Sequence, residues 1–426
     1  MLVFISDLHF IDETAGEHNI PAKAFKGAFE DICKSCDRPE EVKIVFLGDV
    51  FDLLRTTYWL TVPQAERPWG TDMSAVDRHA NKIMDDILRI NSDTFEIFRD
   101  LTMECGVEKI YIPGNHDRLC NLFDSLRGKV RSSLGLPAGT APFAHFYDDL
   151  QYGNKYGVLA RHGHEFDQWN YEGTTHYTDS DYAQVPIGDP ITTELVAALP
   201  DTIMKYVKQM SPPLQPAQLK ALERNLQEID NVRPISAVLH WLFYQVQENQ
   251  EIRDEIDKAV REIAENFDNL DMVKKWYKRH RTLNPFASDS SDMLQTAIEL
   301  FKRFNIGSAE TLVTLFDKIF GPSDKAEPGK TDEALIKAGQ DFLTHTSDYK
   351  YVAMGHTHNA LEAPIRVTST GTDQVYFNTG TWRKKYTQGI SNGFIGTKYL
   401  TYTMFYTEKE NGDQCFETWT GSLKEA

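Results

Sequence analysis

A chain of 426 residues, 41% hydrophobic and 25% charged, carries enough apolar surface for a buried core and enough length for about two to three domain-sized units, which excludes a wholly disordered chain. Its 63 acidic against 45 basic residues give a formal net charge of -18, a field that repels nucleic-acid backbones and anionic headgroups unless a local basic patch intervenes. No stretch approaches the roughly 20 apolar residues of a membrane-spanning helix, and Met1-Leu2-Val3-Phe4-Ile5 runs at once toward Asp7 without a signal peptide's basic and apolar segments, so a cytoplasmic location is expected.

Short apolar runs that end in polar, glycine-containing turns predict buried strands at 2–6, 42–47 and 107–113, separated by helical periodicity over 22–33 and 75–101. Such alternation belongs to a layered α/β domain. Further strands are expected at 156–161, 349–354, 375–378, 399–406 and 415–419. From about residue 190 to 344 the chain is rich in Glu, Lys, Gln, Leu and Ala at helical spacing. Pro212-Pro213, Pro234, Pro285, Gly321-Pro322 and Pro328-Gly329 cut that stretch into several helices. The expected organisation is a core in two segments, 1–165 and 345–426, with a mainly helical insertion over 166–344. Five cysteines make no disulfide framework, and the one C-x-x-C, Cys33 to Cys36, has no second pair at zinc-finger spacing.

Five of the expected strands deliver Asp, Asn or His at their carboxyl ends, where α/β folds place reactive groups. They are Asp7-Leu8-His9, Gly48-Asp49-Val50-Phe51-Asp52, Gly114-Asn115-His116-Asp117, His162-Gly163-His164 and Gly355-His356-Thr357-His358. One such motif is more often a turn than a ligand set; packing alone does not explain five in series. Imidazole nitrogens mixed with carboxylate and amide oxygens suit Mn, Fe or Zn, whereas all-oxygen cages suit Mg and Ca. Two divalent ions bridged by one carboxylate can clamp both the attacking and the leaving oxygen of an in-line displacement. Their charge would outweigh Asp7 and Asp49 and leave a positive hole that fits phosphate.

In this order the motifs resemble those of the calcineurin-like metallophosphoesterase superfamily. The resemblance implies an α/β fold, a two-sheet β-sandwich flanked by helices, for roughly the first 165 and last 80 residues, with the helical insertion between them. It implies that Asp7, His9 and His358 hold one metal and Asn115, His162 and His356 the other, with Asp49 bridging. Two divalent ions are therefore the expected cofactors, manganese first, with iron or zinc as alternatives. It also implies that His116 donates a proton or stabilises charge at the leaving oxygen, oriented by Asp52. The competing reading of Asp52 is a helix N-cap. His162 is preferred to His164 as the ligand because it ends the strand, which leaves His164 a supporting or substrate-facing part. Asn378-Thr379-Gly380-Thr381 resembles the family's closing turn, a structural match.

Arg118 and Arg383 are candidate substrate contacts, as is Arg55, although Arg383-Lys384-Lys385 reads equally well as a solvated turn. Tyr171, His176, Tyr177 and Tyr182, among Asp179 and Asp181, follow a ligand histidine and could hold a base, sugar or lipid-like group, or pack against the insertion. Gly389-Ile390-Ser391-Asn392-Gly393 matches the G-x-S-x-G nucleophile pattern, but a strand-like run follows it where that motif needs a helix. The expected activity is hydrolysis of a phosphomonoester or phosphodiester by a hydroxide bridging two metals, with His116 assisting the leaving group. The protein Ser/Thr phosphatase branch is disfavoured: it has Asp-Arg-Gly and Asn-His-Glu where this chain has Asp52-Leu53-Leu54 and Asn115-His116-Asp117. A lipid-A pathway pyrophosphatase has Arg where His116 stands. The alternatives are a DNA-repair-type nuclease of the superfamily, opposed by the net charge, and a silent metal-site scaffold for partner proteins, opposed by the complete ligand set. A phosphate ester is thus the expected partner and nucleic acid is not; the sequence selects no oligomeric state.

Overall fold

The computed structural model describes residues 1–423 except 19, 36–38, 40, 103–105, 154, 174–181, 234–236, 247–248, 282–289, 304–329, 346–347 and 390–392. Every residue of β1 (Leu2–Ile5) and β2 (Val42–Leu47) is buried, because alternate side chains of each strand enter different cores. Leu2, Phe4, Val45 and Leu47 face inward to a second sheet, while Val3, Ile5, Ile44 and Phe46 face outward to helices. This is why the strands read as unbroken apolar runs.

β3 (Val107–Ile112) lies parallel to β2, and β2 parallel to β1. Beyond β1 come β11 (Phe394–Phe405), β10 (Lys384–Gln388) and β6 (Val232–Arg233), with β12 (Phe416–Leu423) also paired to β11. The second sheet runs β4 (Tyr147–Asp148), β5 (Val158–Ala160), β7 (Tyr351–Met354), β9 (Asp373–Asn378) and β8 (Leu361–Val367). Between the sheets Leu2, Phe4, Val45 and Leu47 meet Val158, Ala160, Tyr351 and Phe377, and Phe377 packs edge-on to Phe405 with centroids 5.3 Å apart. Outside the first sheet the helix Ala22–Lys34 buries Phe25, Ala28, Phe29 and Ile32, a stripe at positions i, i+3, i+4 and i+7. Outside the second, Leu335, Ala338 and Leu343 of the helix Lys330–His345 cover Val352, Met354 and Tyr376. The result is the expected α/β arrangement of two mixed sheets flanked by helices.

Local chemistry explains where the elements depart from the periodicity. The stretch read as one helix over 75–101 is two, Met73–Ile90 and Ser92–Asp100. They divide at Asn91, whose Nδ2 donates back to the Ile87 carbonyl at 2.9 Å and ends the first helix. β8 went unread because Pro364 interrupts it; as an edge strand it has no ladder bond to lose there, and its register shifts at that point. β10 is polar, and β4 and β6 have two residues each.

The insertion has an apolar cluster, including Ile203, Val207, Leu226, Trp241, Leu242 and Ile256, from helices such as Ala198–Val207, Pro216–Leu226 and Gln250–Asn269, against which Tyr386 of β10 and Phe394 of β11 also pack. Two parts of 166–344 are built into the core: β6 pairs with β10, Val232 opposite Tyr386, and the helix Lys330–His345 covers the second sheet. Pro234, Pro285, Gly321, Pro322, Pro328 and Gly329, as well as Cys36, lie outside the described residues. Among the described residues no helix is long and apolar enough to cross a membrane. Phe4, fully buried between the sheets, should lose about 3–5 kcal/mol of stability as Phe4→Ala in urea unfolding. Ile395→Ala, at a position 58% exposed, should stay within about 0.5 kcal/mol.

Candidate metal centre

Among the described residues six that are not glycine have positive φ: Asp7 (55°), His9 (49°), Glu13 (58°), Asp49 (51°), His356 (73°) and His358 (61°). Five of them are expected ligands. A left-handed conformation costs a residue with a Cβ about 1–3 kcal/mol, and such strain persists only where the surroundings enforce it. Here each strand ends and the chain turns abruptly, which takes the next side chains out of the sheet's alternation. Asp7 N–H donates to the Gly48 carbonyl at 3.0 Å and His9 N–H to the Asp49 carbonyl at 2.8 Å, so the first two motif loops hold each other. Close approach also dictates two of the motif glycines. A Cβ on Gly114 would stand 2.2 Å from Asp49 Oδ1, and one on Gly355 2.5 Å from Asp7 Oδ2.

The loops converge at the carboxyl ends of β1, β2, β5 and β7. Ligand atoms of Asp7, His9 and His358 lie within 4.8 Å of one another, as do those of Asp49, His162 and His356, and those of His9, Asp49 and His116. Two donors bound about 2.0–2.2 Å from one ion are about 3.0–3.5 Å apart. The observed spacings match: His358 Nε2 to Asp7 Oδ1 is 3.3 Å, His9 Nε2 to His358 Nε2 3.0 Å, and His162 Nε2 to Asp49 Oδ2 3.2 Å. Asp49 Oδ2 is also 3.6 Å from His9 Nε2, so one oxygen lies between the two groups. Asn115 Oδ1 is buried without a partner among the described residues, an acceptor that a cation would satisfy.

The rings are aimed by bonds to their far nitrogens. His162 Nδ1 donates to the Leu47 carbonyl at 2.9 Å, and His9 Nδ1 is 3.1 Å from Asp52 Oδ2, which turns each Nε2 toward Asp49. His356 Nε2 is held by Asp167 Oδ2 at 3.0 Å, leaving Nδ1 for a cation. Asp167 also accepts from Asn170 Nδ2 at 2.8 Å, and Asn170 Oδ1 accepts from Asn115 Nδ2 at 3.2 Å. That chain fixes which end of the Asn115 amide faces the centre. These residues fit a pair of divalent cations.

His116, which shares a possible donor group with His9 and Asp49, is more exposed than the candidate ligands. Its side chain is 18% exposed, against at most 9% for Asp7, His9, Asp49, His162, His356 and His358, and its Nδ1 is 2.8 Å from Asp52 Oδ1. Burial alone would lower the imidazole pKa, but the Asp52 and Asp49 carboxylates outweigh it and push it up to about 9. Burial would likewise raise Asp52, and the His116 and His9 imidazoles instead hold it well below the usual carboxylate range. Asp52 Oδ1 accepts from Arg55 N–H at 3.0 Å as well, so the turn-capping role and the imidazole pairing coexist.

The remaining candidates fall outside this cluster. His164 is buried against Tyr171 and Tyr182 and lines a small cavity with Asn115, Arg118 and Asn170. Burial draws its imidazole down to about 4 against the pull of Glu165, which leaves it neutral at pH 7. Arg118 is consumed by a brace to the insertion: Nη2 lies 2.9 Å from Asp189 Oδ2, and the guanidinium also donates to the Tyr182 and Pro68 carbonyls. Arg383 is 2.6 Å from Asp230 Oδ2. Asn378 Nδ2 donates to the Gly355 carbonyl at 2.8 Å and Thr381 Oγ1 to the Asp7 carbonyl at 2.8 Å, so the closing turn ties two ligand loops together. Gly389 and Gly393 close a β10–β11 hairpin; Ser391, like His176, Tyr177, Asp179 and Asp181, lies outside the described residues. The sequence reading missed Asp167 and Asn170, and it named Asp117 within its motif without the role seen here, a clamp on the Val50, Phe51 and Gly114 N–H groups. An Asp and an Asn three apart, just after His162-Gly163-His164, were the available signal for the first two.

The family model for calcineurin-like phosphoesterases matches residues 1–273. The chain belongs to the calcineurin-like phosphoesterase family. No curated protein matches it. The matched span carries the first four motifs; His356 and His358 lie beyond it and join them through β7. Membership makes the chain a metal-dependent phosphoesterase in general class. Removing Asp167 should leave the His356 ring without its anchor, so divalent-ion affinity of Asp167→Ala, measured by competition with a chelating dye, should fall about 10- to 100-fold. Chelator treatment should also lower the melting temperature. Ions restored at about 100 times their Kd should return roughly 2.7 kcal/mol.

Proposed function

We propose that this phosphoesterase hydrolyses a phosphomonoester or phosphodiester with His116 assisting departure of the leaving group. Asp7, His9 and His358 would hold one divalent ion, Asn115, His162 and His356 a second, and Asp49 would bridge them. Manganese suits the mixed nitrogen and oxygen donors, as do iron and zinc. When bound, such a pair supplies a hydroxide nucleophile at neutral pH and neutralises charge on the phosphoryl oxygens.

His116 favours catalysis over a silent scaffold. Its Nδ1 is committed to Asp52, which leaves Nε2, without a partner among the described residues, to meet an incoming group. A protonated imidazole there can hand its proton to the departing oxygen, or stabilise the charge that develops on it. Asp52 binds His9 and His116 at once, so it fixes the distance between one candidate ligand and the proposed acid. The ring centroids of His9 and His116 are 4.7 Å apart, which keeps the acid beside the cluster without joining it.

Purified protein loaded with Mn should turn over a chromogenic phosphomonoester or phosphodiester in preference to single-stranded DNA. His116→Ala should lower kcat by about 100-fold or more while metal content stays constant by elemental analysis. Unchanged turnover would remove His116 from the mechanism, and turnover confined to DNA would favour the nuclease reading.

A further inference from the structure

Beside the metal centre, β6 brings the segment Glu228 to Arg233 against β10, and three guanidinium groups gather around one carboxylate. Arg55 Nη1 and Arg383 Nη2 each lie 2.6 Å from Asp230 Oδ2, and Arg233 Nη1 donates to the Asp230 carbonyl at 2.7 Å. Arg383 also donates to Asn231 Oδ1 at 3.0 Å. Glu228, also within Coulombic reach of Arg55, is paired with Lys384 at 2.6 Å. Asp230 is the carboxylate that Arg55 and Arg383 both contact, in a place where Arg55 is 2% and Arg383 6% exposed. A buried guanidinium needs partners for all five N–H groups, yet Arg55 Nε and Nη2 have none among the described residues. A Cβ on Gly16 would lie 2.6 Å from that Nη2, so glycine is what keeps a side chain away from it.

The cluster borders the reacting groups. Arg55 N–H donates to Asp52 Oδ1 at 3.0 Å, and Trp382 N–H, next to Arg383, donates to the Asp7 carbonyl at 3.2 Å. Lys385 Nζ reaches the His358 carbonyl at 2.9 Å. Asp7 and Arg233 lie within Coulombic reach of each other, as do Asp230 and His116. Planar guanidinium forks match phosphate oxygens in pairs, and a dianion would supply the acceptors that Asp230 alone does not.

We propose that Arg55, Arg233 and Arg383 form a second anion subsite, which takes a phosphate group that the substrate carries in addition to the scissile one. This rests on ester hydrolysis at the metal centre and narrows it to bisphosphorylated esters. The fixed distance from the subsite to the cluster then selects the spacing of the two phosphates. Asp230 acts as the resident counterion that the second phosphate displaces or shares.

Two measurements test this. With Mn-loaded protein, kcat/KM for at least one bisphosphate of ethane-, propane- or butanediol should exceed that of its monophosphate about tenfold or more, and Arg55→Lys and Arg233→Gln should each draw that ratio back toward one. By calorimetric titration of the metal-free protein, Asp230→Asn should bind sulfate several-fold more tightly than wild type and Arg233→Gln more weakly. A purely structural ion-pair network gives a less stable Asp230→Asn protein with no gain in sulfate affinity, and that result overturns the proposal. So does a wild-type preference ratio of one across the series, including the case in which sulfate binds as a free ion. The sulfate titration needs no turnover, so a loaded protein that hydrolyses nothing counts against the proposed function while the titration still decides the subsite.

Discussion

Three carboxylates buried around one imidazole, each within 4 Å of a His9 ring nitrogen, set the terms for the rest of this molecule. Asp7, Asp49 and Asp52 are each at most 1% exposed, and removing such groups from water is tolerable only if each finds positive charge or donors. The protein itself satisfies Asp52, through two imidazoles and the turn that follows it. It leaves Asp7 and Asp49 facing imidazole nitrogens of His9, His162 and His358, the first two aimed by bonds at their opposite edges. An arrangement of this kind is poor as a stabilising core and well suited to holding cations. The strained backbone points the same way: five left-handed residues among the candidate ligands, at about 1–3 kcal/mol each, represent a cost comparable to the net stability of an ordinary domain. The apolar sandwich beneath must offset it.

The two sheets make the site possible because neither carries it alone. Asp7, His9 and Asp49 hang from the first sheet and His162, His356 and His358 from the second. Hydrogen bonds cross between them, from Ser6 Oγ to Thr379 Oγ1 at 2.6 Å and from His162 Nδ1 to the Leu47 carbonyl. Phe4, Phe377 and Phe405 fill the space below and set the separation of the sheets. The insertion contributes at the rim. Asp189 and Asp230 bind Arg118 and Arg383, so its acidic residues position arginines that belong to the core sequence.

Much of this was legible in the sequence because the features involved are local. An unbroken apolar run followed by Asp7 or Asp49 announces both a doubly covered strand and what hangs from its end. The family resemblance then joined motifs that spacing could not. What escaped the reading is relational: Asp167 matters through its bond to His356, nearly two hundred residues on, and no local pattern records that bond. Asp230 is likewise one acid among many until Arg55 and Arg383 are seen to meet on it. Arg118 shows the converse, a prominent arginine beside a motif whose bonds go to a carboxylate and two carbonyls of the protein. β8 escaped because Pro364 hides it, and β6 because a two-residue strand has no period.

The central pocket is assembled from both ends of the primary structure, with β1 paired to β11 and His356 N–H donating to the Asp7 carboxylate. A ribosome adding about 5–20 residues per second would need roughly 20–70 s to pass from the codon for Asp7 to that for His358. For more than half of that interval the nascent chain already carries five of the seven candidate ligands, Asp7, His9, Asp49, Asn115 and His162, and lacks only the two histidines of the last motif. The candidate site as drawn is therefore complete only once His356 and His358 have been translated.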